Sequence, residues 1–226
     1  MLSISASDEW LTIHPGAVIG LLELSDVENP LSSSRLDERK RETEARLRER
    51  YQGFTRQDFL ALPEMSVYSH YYKRFNKTYH VLLQVESIVM KGKNLPNVSP
   101  LVDANFIAEV ETLVLTAGHD VAKLCGSILI EVSREGDHIT QMKGESKAIQ
   151  AGDMIMKDAN GVCCSIIYGQ DDRSPISTET SHVLYVAYAP AGVPLKSLDG
   201  QLQKIEENIR LFSSTAIVER HQLLPA

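Results

Sequence analysis

The sequence predicts an α+β fold in which helices pack on antiparallel-rich sheets. Three observations support this class: helical periodicity dominates the first half, strand-like runs follow residue 125, and an amphipathic helix comes near the end. The 226 residues are 43% hydrophobic and 23% charged, as in an ordinary globular domain that buries its own core. A single domain over residues 1–226 is therefore expected.

The N-terminal region predicts strands followed by a charged helix. Residues 10–24, "WLTIHPGAVIGLLEL", are rich in aliphatic and β-branched residues and favour two short strands broken at Pro15-Gly16. Residues 34–51 interleave basic and acidic side chains between a serine cap and Gly53, which predicts a helix. Interleaved charge favours a solvated helix face, and contact with a nucleic acid is the alternative.

Three further helices are predicted before residue 115. Residues 64–76 carry an aromatic stripe at helical spacing, which favours core packing, with base stacking beside Lys73 and Arg74 as the alternative. Apolar periodicity predicts helices over residues 78–90, closed by Gly92, and after Pro100. The polar "TAGHD" that follows, residues 116–120, is expected to form a turn.

The second half predicts strands and a last helix. Residues 126–133 and 138–142 favour one hairpin, and residues 153–169 favour a second with a tight primed turn at Asn160-Gly161. Residues 182–190 predict a buried strand, and residues 194–212 an amphipathic helix.

Composition excludes several classes of protein. Cys125, Cys163 and Cys164 lack metal-ligand spacing and are expected to be buried, reduced thiols. The histidines form no metal motif, so neither a metal nor a cofactor is expected. A net charge of -7 disfavours an extended nucleic-acid surface but allows a local basic patch. No apolar run approaches the ~20 residues of a membrane span, and no signal pattern opens the chain, so a cytoplasmic protein is expected.

An ordered series of segments resembles one known domain. It comprises "KGKNLPNVSPLVDANF", the "TAGHD" turn, "GDMIMKDANGVCCSIIYG" and "STETSHVLYVAYAP", within residues 66–190. Together these segments resemble the editing and tRNA-binding domain of the phenylalanyl-tRNA synthetase beta subunit, and in particular its free-standing bacterial versions. No synthetase catalytic core is recognisable, so a complete synthetase is not expected.

The resemblance implies a sandwich-like fold that holds a pocket for the 3′ end of a mischarged tRNA. The matching segments imply three groups of pocket residues: Thr116, Ala117 and His119; Cys164, Ser165 and Ile166; Glu179 and Thr180. The catalytic residues would be Thr116, Ser165 and His119, and the others would bind substrate.

These residue types suit ester hydrolysis. An aminoacyl ester is already activated, so hydrolysis requires only a positioned water and hydrogen-bond donors that stabilise the oxyanion. Thr116 and Ser165 would supply donors, His119 would act as a base near neutral pH, and Glu179 would accept a tyrosyl hydroxyl. Structural interpretations stand beside these: Glu179 paired with Arg173, His119 satisfied by Asp120, and Ser165 a core hydroxyl.

Two main hypotheses about function follow. One is a tRNA-binding domain that hydrolyses misacylated aminoacyl-tRNA in trans, with a Tyr-tRNA-like substrate. The other is a non-catalytic module that binds RNA or an amino-acid-like ligand, and an interaction domain using the charged helix is a third. The expected partner is tRNA or its aminoacylated 3′ end, no membrane partner is expected, and the sequence leaves the oligomeric state open.

Overall fold

Seven α-helices and eleven strands build the molecule, as seen in a computed structural model that describes residues 2–226. The helices are α1 (Asp8–Ile13), α2 (Ser34–Arg50), α3 (Arg56–Leu60), α4 (Pro63–Lys73), α5 (His80–Lys91), α6 (Pro100–Thr112) and α7 (Leu195–Arg210). The first strands are β1 (Ile4–Ala6), β2 (Val18–Ser25), β3 (Thr116–Asp120), β4 (Ile128–Val132), β5 (His138–Thr140) and β6 (Ser146–Ala148). The others are β7 (Met154–Asp158), β8 (Gly161–Ser165), β9 (Gly169–Gln170), β10 (Val183–Ala189) and β11 (Ile217–Pro225). The predicted α+β class is confirmed.

Two sheets position the later site. A four-stranded antiparallel sheet has the order β11-β2-β10-β3, which makes β3 an edge strand. A five-stranded sheet has the order β1-β4-β7-β8-β9, and only its β1–β4 pair is parallel. Strand β10 is buried along its whole length, and α7 packs against it and β2 through an apolar stripe. No helix among residues 2–226 has both the length and the apolar character to cross a membrane.

The predicted helices of the first half are present and bury the expected faces. The aromatic stripe Tyr68, Tyr71, Tyr72 and Phe75 of the α4 region lies in the core. Helix α5 ends at Gly92, which takes the left-handed conformation with φ 63°. Apolar packing rather than base stacking therefore explains these aromatics.

The charged helix α2 is less solvated than predicted. Its Lys40 is buried, and the Lys40 Nζ donates to Asp103 Oδ2 of α6 at 2.6 Å. Leu36 and Leu47 are buried on the same side, because α2 packs on α5 and α6. The interleaved charges of α2 gave no sign in the sequence that one of its faces is buried and carries the Lys40–Asp103 ion pair.

Two predictions near the N-terminus and the "TAGHD" segment are wrong. Residues 10–13, predicted to open a strand, lie in helix α1 instead, because Ser7 caps that helix by accepting from the Trp10 backbone N–H. Residues 116–120 form strand β3 instead of a turn, because their backbone pairs with β10 across Ala187 to Val183.

The first predicted hairpin is also wrong. Strand β4 pairs with β1 and β7, whereas β5 pairs with the unpredicted β6. The second hairpin, β7 with β8, is confirmed, although a primed turn needs a positive φ at Asn160 and only Gly161 of that pair has one, at 119°. Cys163 and Cys164 are buried free thiols as predicted, but Cys125 is exposed.

Candidate functional site

A cavity of about 340 Å³ lies where edge strand β3 and helix α6 face the end of β8. Its buried lining, called the inner wall below, consists of Asn105, Leu115, Thr116, Cys164, Ser165, Ile166, Tyr185 and Tyr188. Its exposed lining, called the mouth, includes His80, Val98 and Met142. Half-buried Val102, Phe106, Ala117, Gln170, Pro175 and Ile176 lie between them. Such a volume lies within the ~300–1,000 Å³ range of small-molecule pockets.

The structure brings together five of the predicted site residues. Thr116 and Ala117 enter the cavity lining from β3, and Cys164, Ser165 and Ile166 enter it from the end of β8. The two strands belong to different sheets, so the lining depends on how the sheets meet. The roles assigned to these residues from sequence stay predictions.

Thr116 is held by a buried polar network behind the inner wall. Its Oγ1 accepts from Gln201 Nε2 at 3.0 Å, and its carbonyl accepts from Asn105 Nδ2 at 3.1 Å. The Thr116 backbone N–H donates to Glu109 Oε1 at 2.8 Å. Burial raises the pKa of Glu109 to about 8, so this carboxyl holds its proton at neutral pH. The hydroxyl proton of Thr116 has no acceptor among the described residues, which leaves it able to donate into the cavity.

Ser165 is fixed by a second network. Its hydroxyl donates to Asp153 Oδ2 and accepts from the backbone N–H groups of Ile167 at 3.2 Å and Tyr168 at 3.0 Å. Tyr71 donates to the other oxygen of Asp153 at 2.8 Å. Burial raises the pKa of Asp153 to about 7. The hydrogen-bonding capacity of the Ser165 hydroxyl is therefore filled within the protein.

The structure does not place His119 on the cavity lining. The ring is fully buried, and its Nδ1 lies 2.7 Å from Ser174 Oγ and 3.3 Å from Gln170 Nε2. Burial lowers the pKa of His119 to about 3. Ser174 rather than Asp120 is its partner. A base role for His119 near neutral pH has no support in this geometry.

Glu179 and Thr180 also lie off the cavity lining. Glu179 is exposed, whereas Thr180 is buried and its Oγ1 donates to Asp120 Oδ2 at 2.8 Å. Arg173 contacts Asp158 at 3.2 Å and Asp171 at 3.0 Å, so its predicted pairing with Glu179 is wrong. Glu179 therefore makes no part of the wall that the sequence predicted for it.

Sequence reasoning missed several lining residues. Tyr188 and Tyr185 come from β10, Gln170 ends the short strand β9, and His80 begins α5. Asn105 lies in the "PLVDANF" segment, whose resemblance was noted without assigning a pocket role to its polar residue. The apolar run of β10 predicted burial correctly, but burial alone does not distinguish core from cavity wall.

Gly118 lets the cavity wall form beside β3. A Cβ at this position would lie 2.8 Å from Ile176 Cδ1 and 3.0 Å from Tyr185 Cε1. Neither approach is possible without displacing a lining side chain. The glycine therefore reflects close packing.

Charge is divided between the cavity and its surroundings. The described lining contains no Asp, Glu, Lys or Arg. Two shallow grooves share lining residues with the mouth: one shares His80 and contains Lys93, and the other shares Met142 and Gln170 and contains Lys143 and Lys147. Lys147 is paired with Glu145 at 2.9 Å, whereas Lys93 and Lys143 make no ion pair with the described residues. Lys77 Nζ lies 5.9 Å from the ring centre of Tyr168, which lines the second groove.

No metal centre competes with the cavity as a candidate site within residues 2–226. No group of three or more His, Cys, Asp or Glu side chains there is arranged to hold a metal ion. Burial raises the pKa of Cys164 to about 12, so its thiol is protonated and is not a ready nucleophile.

Fold and cavity define an α+β domain with an uncharged cavity. The family model described as "B3/4 domain" matches residues 66–208, and the chain belongs to that family. The sequence-predicted resemblance, placed over residues 66–190, is thereby confirmed at the family level. No match is found among curated proteins.

Solved structures similar to the chain include an N-terminal fragment of the phenylalanyl-tRNA synthetase beta subunit from Pyrococcus horikoshii. The TM-score is 0.49 at 9% sequence identity, and the match covers 99% of this chain and 54% of that one. The present chain thus spans about half the length of that fragment.

Proposed function

We propose that this protein binds RNA and holds the aminoacylated 3′ end of a tRNA in the cavity, where it hydrolyses the ester. The observation that carries the proposal is the division of charge: an uncharged cavity opens between grooves that contain unpaired lysines. An amino-acid side chain suits the former, and RNA phosphates suit the latter. Membership of the B3/4 family supports the same assignment.

The proposed reaction is a direct attack by water. The water oxygen bonds to the ester carbonyl carbon, the bond from that carbon to the ribose oxygen breaks, and the ribose oxygen takes up a proton. Free amino acid and uncharged tRNA result. Because the ester is already activated, positioning and oxyanion stabilisation supply the catalysis, without a covalent enzyme intermediate.

Two lining residues have free groups suited to these steps. Thr116 has an uncommitted hydroxyl proton that would stabilise the oxyanion. His80 lines the cavity, its Nδ1 lies 3.3 Å from the Tyr72 hydroxyl oxygen, and burial lowers the pKa of His80 to about 4. This neutral imidazole would position the attacking water, and solvent would take up the proton and return one to the leaving oxygen. Ala117, Cys164 and Ile166 would contact the amino-acid side chain, and Ser165 would hold the wall rather than react.

A deacylation assay tests the proposal with tRNA charged with tyrosine and a panel of other amino acids. Ala117→Phe fills the cavity and is expected to reduce turnover by ~100-fold or more, because the substrate side chain loses its space. Ala61→Phe is the matched control, since Ala61 is exposed and far from the cavity lining. Equal turnover in the two variants would remove the cavity from the reaction.

The role of His80 has its own comparison in the same assay. His80→Gln is expected to lower the turnover number by about tenfold or less, because the lowered pKa of His80 leaves it a group that positions water, whereas His119→Gln should act mainly through protein stability. A larger loss of turnover in a folded His119→Gln protein would reverse this assignment.

A specific observation also favours binding without catalysis. The Ser165 hydroxyl is already saturated, and the His119 ring is buried and neutral, so neither predicted catalytic group is available to substrate. Under this alternative, the protein would bind aminoacyl-tRNA at a stoichiometric ratio and release it unhydrolysed. The deacylation assay combined with a filter-binding measurement separates the two functions.

A further inference from the structure

We infer that a groove along helix α4 binds a phosphate group, held by Arg74 and His70. The groove, called the α4 groove below, lies between α4 and the segments 13–15 and 190–191, and its volume is about 450 Å³. It shares no lining residue with the cavity. The α4 groove is therefore a second site, and the inference does not depend on the proposed function.

Polar side chains line the α4 groove at the spacing of one helical turn. Ser66, His70 and Arg74 are four residues apart, so they follow one another on a single face of α4 and its C-cap. All three are exposed, which leaves them open to a ligand. Within residues 2–226, no Asp or Glu contributes to the lining. The groove thus offers a cation and hydrogen-bond donors without a competing carboxylate.

Arg74 differs from the other arginines outside α2, because it has no carboxylate partner among the described residues. Its one side-chain hydrogen bond is long, from Nη2 to the Gly152 carbonyl oxygen at 3.5 Å. The guanidinium therefore keeps donors free for a ligand oxyanion. A carboxylate oxygen lies 3.5 Å or less from each of the others: Arg56, Arg134, Arg173, Arg210 and Arg220.

Aromatic rings hold the Arg74 guanidinium in place without neutralising its charge. Its Cζ lies 5.2 Å from the ring centre of Tyr71 and 5.4 Å from that of Phe75. The Tyr71 ring is itself fixed, because its hydroxyl donates to Asp153 Oδ1 at 2.8 Å. A cation positioned in this way loses little conformational freedom when an anion binds.

The buried ring of His14 shows that the charge of Arg74 acts within the α4 groove. His14 lines the groove, and its ring centre lies 6.1 Å from that of Tyr71. Burial, together with the positive charge of Arg74, lowers the pKa of His14 to about 4. An anion bound at Arg74 would supply the counter-charge that the groove lacks.

The number and kinds of lining groups favour phosphate. A carboxylate has two oxygens, which one guanidinium satisfies, whereas a phosphate has further oxygens for donors such as the imidazole N–H of His70. The rest of the lining is largely apolar, including Ile13, Val67 and Pro190, and Ser66 adds a hydroxyl. A phosphate on an uncharged body that carries hydroxyls meets these conditions. Sugar phosphates and the nucleotides of RNA both belong to this class.

Titration with ribose 5-phosphate tests the inference through the C2 proton resonances of the seven histidines, at constant pH and ionic strength. His14 and His70 are expected to shift saturably, with a dissociation constant of ~1 mM. The resonance of His80, which lines the cavity instead, should not follow them. Ribose without phosphate should shift none of the three. Absence of a saturable shift at His14 and His70 overturns the inference.

Arg74→Gln is expected to weaken the binding of ribose 5-phosphate by about tenfold or more, because the charge-assisted hydrogen bonds are lost. Arg50→Gln is the matched control. Arg50 also has its Cζ over a tyrosine ring, 5.0 Å from the centre of Tyr51, and also lacks a carboxylate partner in the described part of the chain. Equal weakening in the two variants would mean that only net charge matters, and would overturn the inference.

His70→Glu removes the free cation by another route. A glutamate four residues before Arg74 forms an ion pair along the helix, so the melting temperature should not fall. Phosphate binding, followed at His14, is expected to be lost. Undiminished binding by this folded variant would contradict the assignment of Arg74 and His70.

Two further comparisons identify the source of the phosphate and separate the α4 groove from the cavity. A single-stranded RNA that shifts His14 at lower concentration than ribose 5-phosphate, in an Arg74-dependent way, identifies an RNA phosphate; the reverse order identifies a small sugar phosphate. Ala117→Phe, which fills the cavity, should leave the binding of ribose 5-phosphate unchanged. Loss of this binding in Ala117→Phe would overturn the inference, whatever the deacylation assay shows.

Discussion

The inner wall of the cavity and the surface around its mouth differ in almost every property that affects binding. Side chains of the inner wall are buried and uncharged, and two of its hydroxyl groups bond to residues behind the wall, Thr116 to Gln201 and Ser165 to Asp153. Around the mouth, Lys77, Lys93 and Lys143 are exposed and make no ion pair with the described residues. The molecule thus joins a buried neutral region to an exposed cationic one.

This difference indicates a ligand with two unlike parts. A neutral side chain gains from leaving water for the apolar cavity, whereas phosphates gain from exposed lysines that release counterions. The overall charge of -7 does not conflict with the second part, because the unpaired cations are gathered beside the mouth. This account would be wrong if the cavity also accepted charged groups, or if the lysines around the mouth were not needed to bind RNA.

The strongest way to break the comparison is to place a charge within the cavity. Ile176→Asp puts an unpaired carboxylate on the apolar lining and is expected to weaken binding of tyrosyl-adenosine, made as a non-hydrolysable 3′-amide analogue, by ~100-fold, owing to the desolvation cost. Thr178→Asp adds the same charge at an exposed position nearby, off the lining, and serves as the control. Calorimetric titration gives both affinities, and similar losses would contradict a neutral cavity.

A smaller effect is expected on folding stability, through Glu109, the carboxyl group behind the inner wall. The pKa of Glu109 is raised from 4.5 to about 8 by burial, so the folded state keeps a proton that the unfolded chain loses. The stability due to this proton is present below about pH 4.5 and is lost as pH rises through about 8. Burial also raises the pKa of Asp153 from 3.8 to about 7. The folded protein therefore loses further stability as pH rises from about 4 to about 7.

Glu109→Gln isolates the contribution of this residue. The difference in unfolding free energy between wild type and variant should shift against the wild type from pH 5 to pH 9, by up to a few kcal/mol, since each pKa unit is worth about 1.4 kcal/mol. Glu111→Gln, on the same helix but not fully buried, is the control. Urea unfolding at both pH values gives the result, and a constant difference would mean that Glu109 is not held protonated.

The smallest expected effect concerns the lysines around the mouth and their contribution to RNA binding. Lys77→Gln combined with Lys143→Gln should weaken tRNA binding by about tenfold or less and flatten its salt dependence, with ~0.7 lost from the slope for each phosphate contact removed. The affinity for the small tyrosyl-adenosine analogue should stay nearly unchanged. Removing two charges elsewhere, with Arg41→Gln and Lys196→Gln, should leave the slope as it is; an equal effect of both pairs would show that only net charge matters.

Sequence patterns predicted the elements but not all their neighbours. Periodicity identified α4 to α7 and β10, because each buries a regular apolar face. It misassigned residues 8–13, where the Ser7 cap outweighs strand propensity, and it gave β4 the wrong partner, since pairing depends on distant strands such as β1 and β7. The exposed edge strand β11 was not predicted at all.

The candidate site was predictable to a similar degree. Thr116, Ala117, Cys164, Ser165 and Ile166 were found because their segments are themselves distinctive. His119 was misplaced because "TAGHD" was taken for a turn: only residues 116–118 of strand β3 line the cavity, and His119 is buried beyond them against Ser174. Glu179 was misplaced because its exposed side chain lies off the cavity lining. Tyr185 and Tyr188 were missed because a strand buried along its whole length gives no local sign of which side chains line a cavity.

One affinity difference tests the central claim, that the cavity receives the aminoacyl end while the RNA stays at the mouth. The measurement compares binding of uncharged tRNA with binding of the same tRNA carrying a non-hydrolysable tyrosyl amide, in the wild type and in Ala117→Phe. We predict tighter binding of the charged form by the wild type and equal binding of both forms by the variant. Equal affinity of the wild type for the two forms would contradict the claim.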